Sequence, residues 1–177
     1  MGARVLACLC LMIAAGASTA SGVELPAERH PSLLFTDDQI SVLKERISRE
    51  PYATWWRTVS TRAESAPATF SDERSKARYA KSLAFAYLMT DDATLADRAV
   101  DLLLDMKFPP RSGDLGEPHN EGEVVALYAV AYDMLHTYLA AADAASLTEI
   151  RTILAEEAER IRAGIVIEEI DLGFLGT

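Results

Sequence analysis

Apolar positions along most of this chain recur every three or four residues, and the breaks between them carry helix-stopping residues. Thr36 followed by Asp37, Asp38 and Gln39 predicts a helix start, with Thr36 as N-cap, Gln39 completing a capping box and two acids in the first turn. Ile40, Leu43 and Ile47 continue that helix to Pro51, which ends or bends it. A second helix carries Tyr52, Trp55, Trp56, Val59 and Ala63 and stops before Pro67. A third opens at Ser71-Asp72-Glu73 and runs to about Thr90, apolar nearly all round between Ala80 and Met89. The fourth, Ala93 to Lys107, bears one stripe of Leu95, Ala99, Leu102, Leu103 and Met106. A loop with Pro109, Pro110, Gly113, Gly116 and Pro118 precedes the fifth helix, Glu121 to about Ala141, again apolar on most sides from Val124 to Leu135. The sixth begins near Ala144, with Leu147, Ile150, Leu154, Ala158 and Ile161 on one face.

No segment alternates convincingly enough to be a strand, so the predicted class is all-α. Helices three and five, apolar all round, must be covered on several sides, whereas four and six need only one covered face. That alternation predicts two layers of stacked helical hairpins. Ala84-Phe85-Ala86-Tyr87 and Ala129-Val130-Ala131-Tyr132 stand about 45 residues apart, a spacing found in helix-pair repeats. Ile165-Val166-Ile167 and the segment Asp171 to Thr177 form an apolar tail without a terminal capping device, and the array is expected to be truncated there.

The amino terminus changes the picture of compartment. Arg4 precedes an apolar run from Val5 to Ala17, followed by small residues Ser18 to Ser21, the pattern of a secretory signal cut after Ala20. The run is too short for a membrane span of about 20 apolar residues. The organisation expected is a signal peptide over 1–20, an extended arm over 21–35 with Pro26 and Pro31, and hairpins over 36–177. The mature protein is expected to be secreted or periplasmic, without a membrane span. Both cysteines, Cys8 and Cys10, fall in the signal, which leaves no disulfide, cysteine metal site or thiol nucleophile in the mature chain. Acids outnumber bases 27 to 17, a net charge of −10. That excludes the basic stripe of a nucleic-acid binder and requires any anionic ligand to be met by local cations.

His30-Pro31-Ser32-Leu33-Leu34-Phe35-Thr36 before the first helix resembles the opening segment of the alginate lyase and heparinase II/III type polysaccharide lyases. So do Ala84 to Asp92 with Leu95 to Ala99, and Ala129 to Leu135 with the leucine-rich helix after it. The resemblance covers roughly residues 30 to 165 and implies the N-terminal half of an (α/α) toroid. It also implies β-elimination on uronate-containing polysaccharide such as alginate, with no cofactor. That chemistry needs a group to neutralise the uronate carboxylate, a base for the C5 proton and an acid for the leaving oxygen. The family's Asn-His pair would fall at or just beyond Gly173 to Thr177, where no such pair stands. Catalytic residues are therefore expected after Thr177, and this chain alone is expected to be inactive.

In such toroids the cleft lies where the inner helices begin, and helix N-termini favour anions. The residues singled out for substrate are Arg111, His119, Asn120 and Glu121, with Tyr132 deeper in the fifth helix. Each has a structural alternative: Arg111 as a solvated loop residue, Asn120 as N-cap with Glu123 in a capping box, and Tyr132 as a core aromatic. Asp133, buried in the same helix, is expected to pair with a neighbouring helix. Three scattered histidines give no zinc pattern. The other function classes open to the sequence are a helical-hairpin module that binds glycan or protein without catalysis, and an (α/α)-toroid glycosidase. A half-toroid would also self-associate through an exposed apolar face.

Overall fold

A computed structural model describes residues 29–108 and 118–173, with side chains described over 29–108 and 122–163. The expected signal peptide, the start of the arm and Arg111 lie outside the described residues. Six helices follow in order: α1 (Asp37–Arg46), α2 (Tyr52–Glu64), α3 (Glu73–Thr90), α4 (Ala93–Leu104), α5 (Pro118–Ala142) and α6 (Ala144–Gly173). The described residues are all-helical.

Local chemistry places most of the boundaries. Gln39 Oε1 accepts from the Thr36 N–H at 3.0 Å, the back-reaching half of the capping box that starts α1. Asp72 starts α3 by accepting from the Ser75 N–H at 2.7 Å. The α3–α4 turn needs only two residues because Asp91 adopts the left-handed conformation (φ 58°) and Asp92 caps Thr94.

Four boundaries differ from the sequence reading. Helix α1 stops at Arg46, with Ile47 as its C-cap, rather than continuing to Pro51. Helix α4 stops at Leu104 rather than Lys107, because the Asp105 carboxylate turns to Lys76 and Pro109 disfavours helix just before it. Helix α5 begins at Pro118, a residue whose fixed φ and missing N–H suit a first turn. Asn120 is therefore inside the helix and is not its N-cap. Helix α6 runs on to Gly173, so Ile165 to Ile167 are helical rather than part of a loose tail.

The core lies between α3, α4 and α5. Ala77, Ala80, Leu83 and Ala84 of α3, Ala96, Ala99 and Leu103 of α4, and Tyr128, Ala131, Leu135 and Leu139 of α5 are all fully buried. Alanines on facing surfaces let the helices approach closely, and the leucines fill the remaining space. Helix α3 touches α1, α2, α4 and α5, the several-sided cover its apolar surface requires. Helix α6 adds Ile150, with Leu147, Ile153 and Leu154 partly buried beside it. Gly122–Ala142 is long and apolar enough to cross a membrane by length and composition, but its apolar residues are those that pack against α3 and α6.

Helices α3 and α5 thus form a covered layer, with α4 and α6 outside it. Each hairpin reverses the chain, so α3 and α5 run parallel and begin at the same end of the molecule. An ion-pair bridge marks that end: Glu123 of α5 meets Arg74 at 3.2 Å and Arg78 at 2.5 Å, both from the first half of α3.

Candidate functional site

Where α2 ends and α3 begins, the chain turns back through residues 65–72 and brings four polar side chains around one cavity. Arg62, Ser75, Arg78 and Tyr79 line a space of about 290 Å³. Helical spacing puts Ser75, Arg78 and Tyr79 on one surface of α3, since residues three and four apart are neighbours. Tyr79 is fixed from behind by Phe70, ring centroids 5.3 Å apart. Arg78 is held by Glu123, and Ser75 by Asp72, whose carboxyl is drawn below its ordinary pKa chiefly by the Ser75 N–H. Arg62 is exposed; its carbonyl accepts from the Ser65 hydroxyl at 3.2 Å, and its guanidinium has no hydrogen bond or ion pair among the described residues.

The local charge runs against the overall one. Arg74 and Arg78 share the single carboxylate of Glu123, and Arg62 stands beside them without an ion pair among the described residues, in a chain whose net charge is −10. A guanidinium without a partner beside a phenol and a hydroxyl can hold a carboxylate or sulfate through charge-assisted hydrogen bonds. The sequence reading missed this pocket because its residues come from two helices and a turn. The signal available was the i, i+4 pair Arg74 and Arg78 on the first turns of a helix in an acidic chain.

His119, Asn120 and Glu121 lie in the first turn of α5, immediately before Glu123, and so at the same end as the pocket. Tyr132 does not join them. Eleven residues separate it from Glu121, roughly 17 Å along the helix. It is 8 % exposed and belongs to a second cluster, where the arm crosses α5.

That cluster centres on Asp133, 3 % exposed. Its carboxylate accepts from the Ser32 N–H at 2.8 Å and the Leu33 N–H at 2.9 Å, and pairs with His30 Nδ1 at 2.6 Å. The partner of the buried acid is therefore the arm and not a neighbouring helix. A two-residue run of backbone N–H groups can satisfy a carboxylate as well as a side chain can, and sequence patterns do not display it. His30 stacks on His136, centroids 3.8 Å apart, and Tyr132 meets both rings edge-on. The arrangement anchors the arm, and among the described residues no group of three or more His, Cys, Asp or Glu could hold a metal ion.

A buried cation completes the polar interior. Lys76 Nζ donates to the Asp105 carboxylate and to the Asp105 carbonyl, both at 2.9 Å, and to Glu73 at 3.2 Å. Burial opposes the Lys76 charge, but the hydrogen bonds to Asp105 and Glu73 outweigh it and hold its pKa above the ordinary lysine value. The same contact holds the Asp105 carboxyl below its ordinary value. This lysine ties α3 to the end of α4 and is not offered to a ligand.

The two tryptophans separate. Trp56 packs toward Phe85 and the core, whereas Trp55 is 60 % exposed. No protein-family model matches this sequence, and no curated protein is similar enough to it to count as a relative.

Proposed function

We propose that this chain is an exported helical-hairpin protein of the alginate lyase and heparinase II/III type, which binds uronate-containing polysaccharide where α3 and α5 begin. The observation that carries this reading is the cationic pocket of Arg62, Ser75, Arg78 and Tyr79, placed in a strongly acidic chain at that end. A local excess of cations in an acidic chain raises the local concentration of anions at that end. The parallel packing of α3 and α5 with α4 and α6 outside supports an (α/α) toroid arrangement.

The pocket fits the first requirement of β-elimination, neutralising the uronate carboxylate so that the C5 proton becomes acidic. Arg62 is the group we assign to it, because its charge is uncommitted. The first turn of α5, with His119, Asn120 and Glu121, contributes N–H groups on the same side.

Titrating the purified protein with alginate, and separately with a neutral glucan, tests the reading. Binding to alginate alone, weakening as salt rises, is expected. Equal binding to both polymers, or to neither, would refute it. Following the ultraviolet absorbance of the mixture then distinguishes lyase from non-catalytic module, since elimination creates a conjugated unsaturated uronate.

A further inference from the structure

Helix α2 carries more than one wall of the pocket. Trp55 and Arg62 are seven residues apart, two helical turns, and so share a side of α2 about 10 Å apart along its axis. Tyr52 stands one turn before Trp55, with its ring edge-on to the indole at a centroid distance of 5.4 Å. Beyond Tyr52 the guanidinium of Arg46 lies over its ring, 5.8 Å from the centroid. The order along this side is therefore cation, phenol, indole, cation.

Every side chain in that row faces water. Trp55 is 60 % exposed and Tyr52 is 37 % exposed, although Trp56, the next residue, is packed inward. The neighbouring carboxylates are committed elsewhere: Glu45 to Arg49, Glu50 to the Thr54 hydroxyl, and Glu123 to Arg74 and Arg78. The positive charge of Arg62 is left for a ligand. Flat apolar rings between cations suit a chain of sugars whose C–H faces stack on aromatics while carboxylates reach the guanidinium groups.

Resting on the uronate reading above, we propose that the α2 side Arg46–Tyr52–Trp55–Arg62 is a binding track for a short acidic oligosaccharide, continuous with the pocket at Arg78 and Tyr79. One sugar carboxylate sits at Arg62 in the pocket, the following rings lie over Trp55 and Tyr52, and a further carboxylate approaches Arg46. The ligand is thus longer than the pocket alone would hold.

Calorimetric titration of the full chain with uronate oligosaccharides of increasing length tests the track. Affinity should rise with length until the track is filled. Trp55→Ala should weaken the longer oligomers on the order of tenfold and leave the shortest unchanged. Arg62→Ala should weaken all lengths by a similar factor, and carboxyl-reduced oligomers should not distinguish it from the parent. Both residues are exposed, and an unchanged helical circular dichroism spectrum confirms that each variant is folded. If Arg62→Ala weakens binding and Trp55→Ala binds every length as the parent does, the track is wrong and the uronate reading stands. If neither variant differs from the parent, the track is wrong and the assignment of the pocket at Arg62 falls with it. If the parent binds none, the uronate reading itself fails and the track with it. If a single-stranded oligonucleotide binds the parent more tightly than the uronate oligomers and loses affinity in Trp55→Ala, the track belongs to a different polymer and the assignment is overturned.

Discussion

Among the described residues two charged side chains are buried, and they are satisfied in opposite ways. Lys76 finds its partners close by, Glu73 one turn earlier on α3 and Asp105 at the end of the adjoining helix. Asp133 finds its own about a hundred residues away, in the arm that precedes α1. The first contact closes a single hairpin, while the second joins the beginning of the described chain to α5. The same division runs through the apolar residues. Helix α3 buries eight side chains, whereas α1 buries none and α2 only Ala63. The hairpins of α3 to α6 are thus held by packing, and the front of the molecule by a few specific contacts.

The comparison can be broken most severely in the core. Leu83→Ala empties a fully buried site between α3 and its neighbours, and a loss of about 3 kcal/mol is expected, read by urea denaturation. Asp133→Ala comes next, at about 2 kcal/mol, because His30, the Ser32 and Leu33 N–H groups and the Ser32 hydroxyl lose one carboxylate but the arm can be partly hydrated. It should also expose the arm to limited proteolysis while α3 to α6 stay protected, which Leu83→Ala should not do selectively. Protection of the arm in Asp133→Ala would show that packing, not the carboxylate, holds it.

Lys76→Met sharpens the other half. An apolar side chain of similar length should cost less than about 1 kcal/mol at neutral pH, since a buried ion pair offers little over good packing. Its effect should appear in the pH profile. The raised pKa of Lys76 stabilises the fold below the ordinary lysine range and is lost as pH rises through the folded-state value. The lowered pKa of Asp105 stabilises the fold above the ordinary carboxylate range and is lost as pH falls through its folded-state value. Lys76→Met should therefore flatten the thermal stability curve at both extremes, and a profile parallel to the parent's would refute the coupling. The smallest effect is expected from Tyr128→Phe. The Tyr128 hydroxyl is buried without a hydrogen-bond partner among the described residues, and burial pushes its pKa up. Removing it should leave stability unchanged or raise it by a few tenths of a kcal/mol in the same denaturation assay.

Much of the fold was legible because helices declare themselves locally. The capping box at Thr36 and Gln39, the start at Asp72 and the all-round apolar surface of α3 are written in consecutive residues. The contacts that organise function are not. Glu123 reads as the third residue of a capping box after Asn120, yet it bridges to Arg74 and Arg78 on another helix. Asp133 reads as an acid in need of a side-chain partner, yet two of its four partner groups are backbone N–H groups of the arm. Trp55 and Trp56 are adjacent letters with opposite fates, decided by which side of α2 meets Phe85. In each case the answer depends on a neighbour that tertiary packing supplies, and no local period encodes it.

The anchoring of the arm also sets an order of events. Residues 30–33 cannot be captured until Asp133 has been made and folded into α5, about a hundred positions later. Closing so long a loop is slow compared with zipping α3 onto α4 through a two-residue turn. The arm therefore settles only after α5 has formed, and until it does, Pro31 and Phe35, which the folded protein covers, stay available to whatever escorts the emerging chain.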